Sequence, residues 1–168
     1  MIVVTVGTHE QPFDRLVEAA AKLAGDEPLV VQYGTSRRTH GAGEWHDYLS
    51  FDELAEYARD ARVFVCHAGV GSIVLARRFG HRPVVVPRRH HLGEHVDDHQ
   101  LSLARRLGRA GVVTVLEDTD ALGAVVEARV APGAVPTGDL LPGPDALGTA
   151  LHSVLAELGT ARHTQAAA

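Results

Sequence analysis

Three short segments carry residue types that can do chemistry. The first, Gly7-Thr8-His9-Glu10-Gln11, is a glycine followed by hydroxyl, imidazole, carboxylate and amide side chains. The second, His67-Ala68-Gly69-Val70-Gly71-Ser72, sets two glycines between a histidine and a serine. The third, residues 87–100, is crowded with Arg and His and ends in acidic and amide groups, among them Glu94, Asp98 and Gln100. Paired glycines allow a close backbone approach. If a helix opens there, its free N–H groups and partial positive charge suit a diphosphate, with Ser72 and His67 as added donors. The first segment offers a lesser version of the same, a glycine between a strand and a helix. The acidic and amide groups of the third, at the start of a helix, suit hydrogen bonding to a polyol such as a sugar. Each has a plain alternative: a tight turn, a strand-to-helix turn with a satisfied histidine, and a charged loop ending in an Asp N-cap.

Other chemistries fit less well. No segment reads GxGxxG, and no Walker-type lysine is present, so neither a dinucleotide fingerprint nor a P-loop is expected. His91, His95 and His99 lie at i, i+4 and i+8, which puts three imidazoles on one face of a continuous helix and admits a metal site. Gly93 falls inside the first interval and weakens that helix. Cys66 precedes His67 on an expected strand, so the two side chains point to opposite faces and do not pair as nucleophile and base. Cys66 reads instead as a small core residue.

The elements that must position these segments follow from periodicity. Short apolar, β-branched runs at 2–6, 29–33, 63–66, 83–86 and 112–116 predict buried strands. A further short strand is expected near 47–49. Helical spacing predicts helices over 13–23, 52–60 with Asp52 as N-cap, 73–79, 97–107 and 118–130. Strands alternating with helices predict an α/β, Rossmann-like, mostly parallel sheet with helices on both faces. Ligands of such sheets sit outside the carboxyl ends of the strands, where all three segments fall. The expected organisation is one domain over 1–130, a Pro/Gly-rich loop over 131–144, an amphipathic helix over 145–158 and a disordered tail over 159–168.

Composition narrows the class. The 168 residues have 45% hydrophobic and 22% charged side chains, enough for a packed core. One cysteine excludes an intramolecular disulfide and a Cys-rich zinc module. A net charge of −5 argues against a nucleic-acid partner. No apolar run approaches a membrane span, and residues 1–6 lack a basic n-region, so neither an anchor nor a signal peptide is expected. A reducing, cytoplasmic compartment is the expectation.

The motifs together resemble the C-terminal half of GT-B glycosyltransferases of family 28, of the exopolysaccharide catalytic-subunit type. That type is similar in turn to the catalytic subunit of the dolichol-pathway N-acetylglucosamine transferase. The resemblance rests on Val4-Thr5-Val6-Gly7-Thr8 with Phe13-Asp14-Arg15-Leu16-Val17, on Val31-Gln32-Tyr33-Gly34, and on His67-Ala68-Gly69-Val70-Gly71-Ser72-Ile73. It continues in Pro87-Arg88-Arg89, Gly93-Glu94-His95 and Asp97-Asp98-His99-Gln100, over residues 1 to about 116. It implies that His67, Gly69, Gly71 and Ser72 hold a nucleotide diphosphate, with Gly7 and Thr8 bordering the cleft. It places Phe51 at the base and Asp98 and Gln100 at the donor sugar. Many members of the wider superfamily carry a ribose-holding glutamate where this chain has Leu75, so Glu94 is expected to take over the ribose.

The resemblance also implies a UDP-sugar substrate, no cofactor and no metal. It further implies a separate membrane-anchored subunit that binds a lipid-linked saccharide acceptor and supplies the general base, with His9 as the base within this chain if there is none elsewhere. The protein would then sit peripherally at the inner face of the membrane. Two rival readings are a non-catalytic nucleotide-sugar-binding regulatory module and a sugar-nucleotide epimerase fragment. The latter is disfavoured because an epimerase needs both halves of the fold in one chain.

Overall fold

The computed structural model describes residues 1–23, 25, 27–37 and 41–129. The apolar runs become strands β1 (Ile2–Thr5), β2 (Leu29–Gln32), β3 (Glu44–His46), β4 (Val63–His67), β5 (Val84–Val86) and β6 (Thr114–Val115). They form one sheet in the order β3-β2-β1-β4-β5-β6, and every pairing is parallel. Burial on both faces is why the inner strands read as unbroken Val/Ile runs rather than alternating ones. Both edges are short, with three residues in β3 and two in β6.

Alternation along the strands divides the core in two. Val3, Phe64, Cys66 and Val85 face α2 (Phe51–Asp60), α3 (Val70–Arg78) and α4 (His99–Arg109), packing on Ala58, Ile73 and Leu107. Val4, Val65 and Val84 face α1 (Asp14–Ala21) and α5 (Leu122–Glu127), packing on Leu16, Val17 and Val126. Each such side chain, taken fully out of water, stabilises the fold by about 1.5–3 kcal/mol. The strand order reverses between β1 and β4, so the loops leaving these two strands diverge and open a crevice at the carboxyl edge. Among the described residues no helix is long and apolar enough to cross a membrane.

The parallel, Rossmann-like architecture agrees with the expectation, and four local assignments change. The third strand is Glu44–His46 rather than a run near 47–49. The N-cap of α2 is Ser50, not Asp52. Its hydroxyl accepts from the Glu53 N–H at 3.3 Å, and the Glu53 carboxylate accepts from the Ser50 N–H at 2.8 Å, a reciprocal capping box. The helix expected from residue 97 starts at His99, because Asp97 and Asp98 are spent on the loop before it. The helix expected over 118–130 is a 3-10 turn at 119–121 followed by the shorter α5. The loop, helix and tail expected from 131 onward lie outside the described residues.

Candidate active site

A cleft of about 370 Å³ opens beside the ends of β1 and β4. One side is polar, formed by Gly7 and Thr8 after β1 and by His67, Gly71 and Ser72 at the start of α3. The opposite side is apolar, formed by Tyr48, Leu49, Phe51, Leu54 and Leu75. Tyr48 and Phe51 leave 63% and 59% of their surface in water, unusual for such large rings. Between the two sides, Thr5 donates its hydroxyl to the Gln32 side-chain oxygen and accepts the Gly7 N–H at 3.1 Å, fixing the exit of β1.

The polar side is built around the His67 ring. An added Cβ on Gly7 would lie 2.4 Å from His67 Cε1, and one on Gly69 2.1 Å from His67 Nε2. Both glycines are therefore needed to seat the imidazole. Gly7 also has φ +76°, a left-handed conformation that side chains rarely adopt. Burial, reinforced by Arg88, His9 and His95, pushes the His67 pKa down to about 3, so the ring is neutral. Its Nδ1 is buried without a hydrogen-bond partner. Gly69 is the N-cap of α3 and supplies no side-chain cap, which leaves the first N–H groups of that helix open. An added Cβ on Gly71 meets nothing within 4 Å.

Beneath the cleft lies a buried polar network. Arg88 is only 1% exposed. Its guanidinium donates to the carbonyls of Val6 (2.9 Å), Gln11 (2.7 Å) and Glu94 (2.9 Å), and it stacks 4.7 Å from the Phe13 ring centre. Burial lowers its pKa to about 10, still far above neutrality, so the charge persists. Arg88 thereby sets the course of the loop after β1. Gln100 ties the next two loops together, its side-chain oxygen accepting the N–H groups of Ala68 and Arg88, each at 3.2 Å.

The expected site residues thus fall into two groups. Gly7, Thr8, His67, Gly71, Ser72 and Phe51 converge on the cleft, and Gly69 backs His67. Glu94 does not reach the cleft. Its carboxylate is buried, held by two bonds of 3.0 Å from Arg15 and one of 2.9 Å from the Arg89 N–H, and is therefore not available to a ribose. Gln100 is also buried, with its oxygen committed and only its amide nitrogen unspent. Asp98 accepts the His90 N–H at 3.0 Å and is exposed. His9 packs against His95 with ring centres 4.5 Å apart and planes tilted by 44°, and burial is the first cause lowering its pKa.

The helical face that would align His91, His95 and His99 does not form. Gly93 adopts φ +70°, closing the 3-10 turn at 90–92, and α4 begins only at His99. Among the described residues no three His, Cys, Asp or Glu side chains are placed to hold a metal. Cys66 is fully buried, and burial pushes its thiol pKa above the usual range, which fits a core residue and not a nucleophile.

The residues missed from sequence are the supports and the apolar wall. Arg88 stood in a quoted motif, but nothing in an Arg-Arg pair says which one is buried. Tyr48, Leu49 and Leu54 carried no signal beyond hydrophobicity, because their part depends on how α2 is set against α3, whereas Leu75 was singled out only through the resemblance.

Comparison with known proteins places this geometry. Residues 1–133 match the glycosyltransferase family 28 C-terminal domain. The UDP-N-acetylglucosamine transferase subunit ALG13 of Yarrowia lipolytica is 30% identical, over 73% of this chain and 67% of that protein. Two solved structures share the fold. The calicheamicin glycosyltransferase CalG4 has a TM-score of 0.55 at 17% identity, over 91% of this chain and 37% of its own. The glycotransferase of kitacinnamycin has a TM-score of 0.52 at 21% identity, over 93% of this chain and 40% of its own. The chain thus spans well under half the length of either solved glycosyltransferase. With residues 1–133 of its 168 matched by that family's model, the chain belongs to the glycosyltransferase family 28 C-terminal domain family.

Proposed function

We propose that the chain is the donor-binding subunit of an inverting glycosyltransferase that uses a UDP-sugar. The observation that carries this reading is the two-sided cleft. The apolar side, with the exposed rings of Tyr48 and Phe51, suits a pyrimidine base, and the open start of α3 beside His67 and Ser72 suits the diphosphate. Likeness to a UDP-N-acetylglucosamine transferase subunit supports uracil as the base and a hexose or N-acetylhexosamine as the sugar. Asp98 and the free amide nitrogen of Gln100, at the start of α4, are assigned to the sugar hydroxyls.

The chemistry asked of this chain is electrostatic. An acceptor hydroxyl attacks the anomeric carbon from the face opposite the diphosphate, the glycosidic C–O bond to UDP breaks, and the acceptor proton passes to a base. Negative charge grows on the leaving diphosphate, where the α3 N–H groups and Ser72 are already oriented. His67 is neutral, and in the tautomer with the proton on Nε2 its ring is a further donor. The base and the acceptor site are assigned to a second, membrane-anchored subunit that presents a lipid-linked saccharide, so this chain works peripherally on the cytoplasmic side. His9 is the base within the chain only if that assignment fails. The helix expected over 145–158 is proposed as a docking element.

The test is reconstitution. The purified chain is expected to bind UDP in calorimetry and to transfer little sugar, with transfer restored by the anchored partner. Efficient turnover by the chain alone overturns the two-subunit reading, and UDP binding without transfer in the presence of the partner assigns a regulatory module instead.

A further inference from the structure

The floor of the cleft is a row of paired strand residues. Cys66, Thr5 and Gln32 stand side by side near the carboxyl ends of β4, β1 and β2, and His46 of β3 continues the row. Alternation puts Thr5 and Gln32 on the face of Val3 and Val30, which α2 and α3 cover. Gln32 is only 2% exposed, yet it lines the cleft. Thr5 donates its hydroxyl to Gln32 Oε1 at 2.5 Å, and its own oxygen accepts the Gly7 N–H. The amide is thereby held with its oxygen toward β1. Its nitrogen is left with no partner among the described residues. A buried donor without an acceptor destabilises the fold, and a ligand oxygen seated over it removes that penalty. Thr8 and Tyr48 also bring hydroxyls to the cleft, but both residues are exposed, where water serves as their partner.

The row also fixes which part of a nucleotide lies over Gln32. The segment after β3 carries the apolar side at Tyr48 and Phe51, and the loops after β1 and β4 carry the polar side at Gly7, Thr8, His67 and Ser72. In the sheet, β2 stands between β3 and β1. A nucleotide with its base on the exposed rings and its diphosphate at the start of α3 therefore passes its pentose over β2, above the amide of Gln32.

Resting on the reading of the cleft as a uridine-diphosphate site, we infer that Gln32 binds the ribose, its amide nitrogen donating to the oxygen of a ribose hydroxyl. The consequence is a donor site that selects ribonucleotides from beneath, through the sheet.

Calorimetric titration of the full chain with UDP, 2′-deoxy-UDP and 3′-deoxy-UDP tests this. UDP is expected to bind about tenfold or more tightly than at least one of the deoxy analogues, because a site built to bond a hydroxyl rejects the ligand that lacks it. A smaller preference overturns the inference and leaves the uridine-diphosphate reading standing, whereas no binding of UDP overturns both. Gln32→Met keeps the length of the side chain and removes its donor, so the dissociation constants of UDP and both analogues are expected to agree within about threefold. A larger preference in the folded variant moves the ribose contact to another group and overturns the assignment. Should thermal melts show that Gln32→Met does not fold, the side-chain amide resonance of Gln32 in the isotope-labelled chain decides. It is expected to shift with UDP and to stay in place with inorganic pyrophosphate. No shift with UDP, or an equal shift with pyrophosphate, overturns the assignment.

Discussion

The turn after β4 and the loop after β5 sit side by side on the carboxyl edge of the sheet. Both are written in histidine, glycine and polar side chains, yet they use them in opposite ways. The turn at 67–69 points its histidine ring at the cleft and spends glycines to make room for it. The loop at 87–98 turns its strongest groups inward, Arg88 onto the carbonyls of Val6, Gln11, Pro12 and Glu94, and Glu94 onto Arg15. Residue type alone does not separate a ligand-binding loop from a supporting one. What separates them is whether each polar group already has a partner inside the domain.

Substitutions sharpen this contrast, and the largest expected effect lies in the supporting loop. Glu94→Ala takes the carboxylate from a partly buried Arg15, which keeps only the carbonyls of Pro87 and Glu117, and leaves the Arg89 N–H without its acceptor. Breaking a buried pair from one side costs about 3–5 kcal/mol, the lower end applying here because Arg15 keeps some water contact. A fall in the thermal midpoint of several degrees checks this. A melt like that of the unsubstituted chain would return Glu94 to the list of ligand-binding residues.

Gly69→Ala comes next. The new methyl group falls on the His67 ring, and overpacking of this kind costs about 1–3 kcal/mol. UDP affinity should fall with it, since the ring must leave its seat. Gln100→Ala removes the acceptor of two buried N–H groups, at a cost of about 1–3 kcal/mol. Calorimetry should show weaker binding of UDP itself, through the displaced 67–69 turn, and a further loss for the UDP-sugar. Unchanged UDP binding would mean that Gln100 does not hold the turn.

Acidification tests His67 directly. Its pKa is about 3 in the folded chain, against about 6.5 when unfolded. Between these values the unfolded chain binds the extra proton, so stability is full above about pH 6.5 and declines as pH falls toward 3. His9 and His81, also lowered, act in the same direction. Denaturant melts across this window should show the decline, and His67→Gln should flatten it. The smallest effect on stability belongs to Gly71→Val, within about 0.5 kcal/mol, because the side chain enters open space. The same variant should weaken UDP binding at least tenfold, since that space is where the phosphate is placed.

Much of this was legible in the sequence. The buried parallel strands announced themselves as unbroken β-branched runs, and the His-Ala-Gly-x-Gly-Ser turn between a strand and a helix located the polar side of the cleft. Glu94 misled because an acidic group near a helix start looks the same whether it faces a ligand or a neighbouring loop. Only the long-range contacts decide, with Arg15 lying 79 positions away from Glu94. Ser50 was passed over as the cap of α2 because Asp52, two residues on, has the same propensity, and the capping box resolves only when Glu53 is seen to reach back.

The two edges of the sheet carry one more consequence. A long open strand edge is a template for another chain, whether in aggregation or in strand addition. Here one side ends in the three residues of β3 and the other in the two of β6. Neither offers a useful length of unpaired backbone. Among the described residues both sides of the sheet end in short strands, which favours recognition of this face through side chains and loops over lengthening of the sheet.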